Sequence, residues 1–282
     1  MSKQYHYLIA GLPDLLFDDT KAPTSLEDFR DMLEEFIIGK DMELLKLYFY
    51  RYDNTNILSR LDNPDKPINE LGNLNSDEVN ELIQLIKEGS LNDIDKNIPG
   101  YLVDFIEAYQ TENPINPSLT WDLQLSELYY SYITNTDNEF IAAFFSFELA
   151  ALNLGTAVQC RKYDMEIDDE LICKTEVTEK LSKSSTRDFG LSEDEIPMLN
   201  ELLKVYEESN LIEREKRLDL IKWNYIDENT FFHYFTIERI FGFIIKLAIT
   251  ERWLNLDRAT GLELFNELIK SLENSYDIPA EL

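Results

Sequence analysis

The stretch LLKLYFYRYDNTNILSRL, residues 44–61, decides how the chain is read. It is apolar and aromatic on one side and carries Asp53, Asn56 and Arg60 on the other. Those three are spaced by three and four residues, which places them on one face of a helix. An acid, an amide and an arginine on one face can bond to each other and to nearby backbone. They lack a nucleophile. The plain reading is a polar ladder on an amphipathic helix, and long amphipathic helices with short connections mean helix-on-helix packing.

Working outward, the rest of the chain repeats the helical spacing. Val79, Leu82, Ile83 and Ile86 form one apolar face, and Leu102, Phe105, Ile106 and Tyr109 another. Trp121, Leu125, Leu128, Tyr129 and Tyr132 continue the pattern, as do Ile196, Leu199, Leu202, Leu203 and Tyr206, and then Leu218, Ile221 and Tyr225. Sustained period-two alternation is absent, and no Asn-Gly or Asp-Gly hairpin signal occurs. Thr24-x-x-Glu27, Ser76 and Thr260-x-x-Glu263 read as helix starts, the last opening a final helix with Leu264, Phe265, Leu268, Ile269 and Leu272. Gly39, Asn63-Pro64, Pro99-Gly100 and the prolines at 114 and 117 read as breaks. The acidic run 164–170 reads as a solvated helix start, Ser182–Ser185 as a surface loop, and 231–254 as a long apolar helix. The segment from Tyr5 to Pro13 reads as a helical turn or a short extended piece. The sum is an all-α chain of about ten helices, a single protein over 1–282.

Composition narrows the function. Acids outnumber bases by 55 to 26 in 282 residues, giving a net charge of -29. That argues against a nucleic-acid partner and against docking on anionic lipid, both of which need clustered Lys and Arg. It suits a basic protein partner. Cys160 and Cys173 are thirteen apart and match no zinc or redox spacing. No glycine-rich phosphate loop is present. The two histidines, His6 and His233, lie among aromatics, and neither follows a Glu at the Glu-x-x-His step of di-iron bundles. No cofactor, metal or small-molecule substrate is expected. The run Phe140–Cys160 (FIAAFFSFELAALNLGTAVQC) is long enough to span a bilayer. Its central acid, Glu148, makes a helix buried in protein the better reading.

The motif also carries a resemblance. An aromatic helix leading into Tyr-Asp-x-x-Asn-x-x-x-Arg resembles the repeat signature of the central-stalk C subunit of V-type and archaeal-type ATPases, subunit d in eukaryotes. Tyr5 to Asp14, YHYLIAGLPD, is similar to the opening of an uncharacterised bacterial family associated with V-type ATP synthase. The resemblance implies three related helical units around a funnel. Two echoes fit it. Phe144-Phe145-Ser146-Phe147-Glu148 is followed by Asn153, and His233-Tyr234-Phe235 leads to Glu238 and Arg239. Asp53, Glu148 and Glu238 are 95 and 90 residues apart, the near-equal spacing a triplication leaves. Approximate repeats of 1–98, 99–190 and 191–282 follow. Only the first copy holds the full Asp, Asn, Arg set.

By this resemblance the chain is a non-catalytic rotor subunit linking the central stalk to the membrane rotor ring. It would be cytoplasmic and held at the inner face of the plasma membrane through protein contacts. Asp53, Asn56, Arg60, Glu148, Asn153, Glu238 and Arg239 would keep the helical units in register. The alternatives are an α-helical adaptor for another protein, and an enzyme using carboxylates with Arg60 in a cleft.

Overall fold

The computed structural model describes residues 5–167 and 169–275, with side chains described through 257 and at 259 and 260. Among the described residues there are eleven α-helices, one 3₁₀ turn at Leu91–Asp93 and no strand. A one-turn helix, α1 (His6–Ala10), leads to α2 (Leu26–Phe36) and the long α3 (Lys40–Asp62). Then come α4 (Ser76–Lys87), α5 (Gly100–Gln110), α6 (Trp121–Ile133) and the long α7 (Glu139–Tyr163). The chain ends with α8 (Glu176–Lys183), α9 (Leu199–Tyr206), α10 (Leu211–Thr230) and α11 (Ile237–Ser275).

The caps explain the boundaries. Ser25, not Thr24, caps α2 by accepting from the Asp28 N–H. Asn75, not Ser76, caps α4, because Asn75 and Glu78 close a reciprocal capping box. Asn138 caps α7 and Asp164 ends it in the left-handed region at φ 55°. The run 164–170 is therefore the loop after α7 rather than the start of a helix; its Asp168 lies outside the described residues. Ser182 is still helical, and the loop begins at Ser184. Residues 231–236 form a turn, so α11 starts at Ile237 rather than at 231. It then runs through Thr260 without interruption, so no separate final helix starts there. Residues 254–261 contain no proline, and the one glycine there, Gly261, does not interrupt the helix. The apolar side chains expected between 264 and 272 lie outside the described residues.

The three long helices begin at Lys40, Glu139 and Ile237, which are 99 and 98 residues apart. Their packing follows a closed order. Helix α3 packs on α6, the helix that leads into α7; α7 packs on α10, which leads into α11; and α11 packs back on α2, which leads into α3. Aromatic side chains fill the place where the long helices meet. The Phe241 ring lies edge-on to Tyr48 of α3 at 6.3 Å and to Phe144 and Phe145 of α7 at 6.2 and 5.8 Å. All four side chains are buried. Edge-to-face pairs add to the burial of large rings. Elsewhere the helices approach closely where a side chain is missing. A Cβ on Gly155 of α7 would stand 2.6 Å from the Tyr206 ring of α9. The Tyr206 hydroxyl donates to the Ala151 carbonyl at 2.6 Å.

Among the described residues, one helix is long and apolar enough to cross a bilayer, Glu139–Tyr163. It packs against α6, α8, α9, α10 and α11, and its central acid is bonded within the protein.

Candidate functional site

Glu148 sits in the middle of α7 on an otherwise apolar face and is 7% exposed. A lone carboxylate there would be costly, so it draws partners from three other helices. Its Oε2 accepts from Arg51 Nη2 of α3 at 3.1 Å and from the Tyr130 hydroxyl of α6 at 3.3 Å. Its Oε1 accepts from Lys222 Nζ of α10 at 2.9 Å. Arg51 is held in turn by the Tyr48 carbonyl at 3.1 Å and lies 4.1 Å from the centre of the Tyr48 ring. Burial alone would raise the Glu148 pKa. Lys222 and Arg51 overcome it and bring the pKa down from 4.5 to about 2. The group is thus an ion at neutral pH, shared by two cations and a phenol. Such a carboxylate is too weak a base for proton transfer near neutrality. What it does well is hold α3, α6, α7 and α10 together.

Asp53 and Asn56 act more locally. Asp53 is fully buried and takes three donors from the loop after α3: the Asn73 N–H at 2.9 Å, the Asn73 side chain at 2.8 Å and the Leu74 N–H at 2.9 Å. Burial raises its pKa, and those hydrogen bonds work against the rise. Asn56 clasps the Asn69 backbone, accepting from its N–H at 2.7 Å and donating to its carbonyl at 2.9 Å. The loop lies so close that a Cβ on Gly72 would stand 2.8 Å from Asp53 Oδ1.

Arg60 does not join them. It donates to the Pro64 carbonyl and to Ser76 Oγ at 2.7 Å, tying the end of α3 to the start of α4, and among the described residues it forms no ion pair with an acid. It lies one turn beyond Asn56, in the last turn of α3.

Asn153 repeats the Asn56 device in α7. It accepts from the Ile172 N–H at 3.0 Å and donates to the Ile172 carbonyl at 2.9 Å. Ile172 is thereby seated against Leu119 and Leu149. Asn153 thus performs on α7 the same loop-pinning task that Asn56 performs on α3. Asn153→Ala leaves a buried N–H and carbonyl without partners, and unfolding in urea should show a loss of about 2 kcal/mol. Asn56→Ala should cost less, about 1 kcal/mol, because Asn69 is exposed and water replaces the amide.

At the start of α11, Glu238 accepts from Asn138 Nδ2 at 2.7 Å and lies 3.5 Å from His233 Nδ1. Burial pushes its pKa up, but Thr236, its own N–H and Asn138 more than compensate and hold it low. The contact joins the start of α11 to the start of α7. Arg239 is exposed, and its guanidinium donates to Thr230 Oγ1 at 3.4 Å. The seven motif residues therefore do not converge on one cleft. Glu148 and Glu238 bridge distant parts of the chain, Asp53, Asn56 and Asn153 pin loops, and Arg60 and Arg239 stand apart from these networks.

Sequence reasoning missed Arg51, Tyr130 and Lys222. A signal for Lys222 exists: it is four residues from Leu218 and three from Tyr225, so it lies on the apolar face of α10. It also missed Asp219, which is buried and accepts from Trp253 Nε1 at 2.9 Å and from Arg252. Beside the Glu148 cluster lies a cavity of about 300 Å³ lined by Tyr130, Gly155, Tyr206, Arg214 and Lys222, among others. Among the described residues no three His, Cys, Asp or Glu side chains are arranged to hold a metal ion.

Fold and networks together define an all-α protein whose buried polar residues tie helices to one another and to loops. The family pattern of DUF2764, described as a protein of unknown function, matches residues 1–276, and the chain belongs to that family. No curated protein and no solved structure matches it.

Proposed function

We propose that the chain is a non-catalytic rotor subunit, similar to the central-stalk C subunit of V-type ATPases, that links the stalk to the membrane ring. The observation that carries the reading is the closed packing order of three long helices starting 99 and 98 residues apart. A tandem triplication produces such an order. A part that transmits torque needs dense packing without slip. The Glu148 cluster supports this role, since its partners come from residues 51, 130 and 222, one from each third of the chain. Because Phe241 and its neighbours fill the space between the long helices at their level, a stalk would seat at one end of these helices. The subunit would then sit at the inner face of the plasma membrane through protein contacts alone.

The test is co-purification of the tagged protein from its native cells after mild solubilisation of membranes. Stalk and ring subunits of a rotary ATPase should elute with it. Their absence, with other proteins captured instead, would replace this reading by that of an adaptor.

A further inference from the structure

The beginnings of α3, α7 and α11 meet at one end of the molecule. Lys40 Nζ lies 2.9 Å from Asp137 Oδ2, and Asn138 Nδ2 bonds Glu238 at 2.7 Å. The Phe140 ring lies 6.1 Å from that of His233. The N-terminal segment closes on the same end, with the Tyr5 N–H donating to the Phe235 carbonyl at 2.8 Å and its hydroxyl to Asp41.

Several large apolar side chains reach solvent at this end. Phe231, Phe232 and Tyr234 occupy the turn between α10 and α11, and Phe36 and Ile38 the corner between α2 and α3. Tyr7 of α1 follows His6, whose ring lies 4.3 Å from that of Phe235. Phe232 is 80% exposed and Tyr7 97%, so neither is covered by the described residues. Single exposed apolar residues need no explanation, but a group of large aromatics gathered at one end marks an interaction surface. Aromatic side chains of this kind are the usual anchors of protein interfaces.

The frame around the group is acidic. Glu34 and Glu35 end α2, Asp137 and Glu139 flank the start of α7, and Asp227 and Glu228 end α10. All six are exposed. Among the described residues the exposed bases in these corners are Lys40 and Arg239, and three of the acids are already paired: Asp137 with Lys40, Asp227 with Lys246, and Glu34 with Arg30 at 3.8 Å. Charge thus selects the occupant. A second copy would bring two acidic frames together, and an anionic bilayer would be repelled.

We infer that this end is a docking face for a basic polypeptide segment, one presenting apolar side chains to the aromatics and Lys or Arg to the surrounding acids. The inference rests on the surface alone and does not need the rotor reading. Loss of the ATPase subunits in co-purification would leave it standing.

The probe is a synthetic amphipathic helix of Leu and Lys, with a Leu and Glu counterpart, titrated against the full chain by fluorescence anisotropy. The Lys peptide should bind and the Glu peptide should not, and added salt should weaken binding. The double variant Phe232→Ser, Tyr234→Ser should keep its circular dichroism and lose roughly tenfold in affinity. A control pair, Leu211→Ser with Ile212→Ser, changes exposed apolar residues at the start of α10, the opposite end of that helix, and should leave the affinity unchanged. Equal binding by the aromatic double variant, or equal loss in the control, would overturn the inference. So would aromatic-dependent self-association in sedimentation, or aromatic-dependent capture on phosphatidylcholine vesicles.

Discussion

Glu148→Ala should lower the stability of the fold by about 3 kcal/mol at neutral pH, read as a shift in the urea midpoint. Removing one member of a buried ion cluster leaves its partners without compensation, which typically costs 3–5 kcal/mol. The lower end applies here because the Arg51 and Lys222 side chains are about 30% exposed and can turn toward water. The effect should depend on pH. Glu148 has a folded pKa of about 2 against an ordinary 4.5, so the folded state favours its ionised form. Its contribution is complete above the ordinary carboxylate range and disappears as pH falls from about 5 toward 2. The gap between the native protein and the variant should narrow over that window. Asp53 works in the opposite direction. Its raised pKa means the folded state takes up a proton more readily, so its penalty is relieved as pH falls. A gap that stays constant between pH 7 and pH 3 would show that the Glu148 charge contributes nothing.

Phe241→Ala should cost about 4 kcal/mol, in the range seen for fully buried phenylalanine. The ring touches Tyr48, Phe140, Phe144 and Phe145, so its loss opens a cavity between α3, α7 and α11. Those neighbours are long helices bonded elsewhere and are poorly placed to collapse inward. Phe241→Leu should recover most of the loss, to within about 1.5 kcal/mol of the native protein. Phe232→Ala, at an exposed ring, should change stability by less than about 0.5 kcal/mol. Comparable effects at Phe241 and Phe232 would mean that the long helices do not pack on a common centre.

Much of the fold can be read from the sequence because the helical period and the breakers are local signals. The 44–61 stretch lies within one helix, and most of the apolar face expected for α4, α5 and α9 is buried as its spacing requires, while in α6 Leu125 and Tyr129 are buried, Trp121 and Leu128 half-buried and Tyr132 exposed. The errors fall where two local signals compete. Ser76 and Asn75 can both cap a helix, and the reciprocal bond with Glu78 decides for Asn75. Thr260 offers a cap, yet nothing before it ends α11. The candidate site is less legible because its bonds are not local. Glu148 announces itself as a single acid in an apolar run, but Arg51 and Lys222 lie 97 and 74 residues away. No periodicity encodes that pairing; it arises only when the long helices assemble. Arg60 shows the converse. Sharing a helical face with Asp53 does not bring the two together, because the following loop occupies the space beside Asp53.

The central claim is that α3, α7 and α11 form one cooperative body joined through Glu148 and the aromatic centre. Native-state hydrogen exchange tests it most directly. The slowest amides of the three helices should open with a single free energy, and Glu148→Gln should lower all three together. Separate opening free energies for α3 and α11, or a Glu148→Gln effect confined to α7, would contradict it.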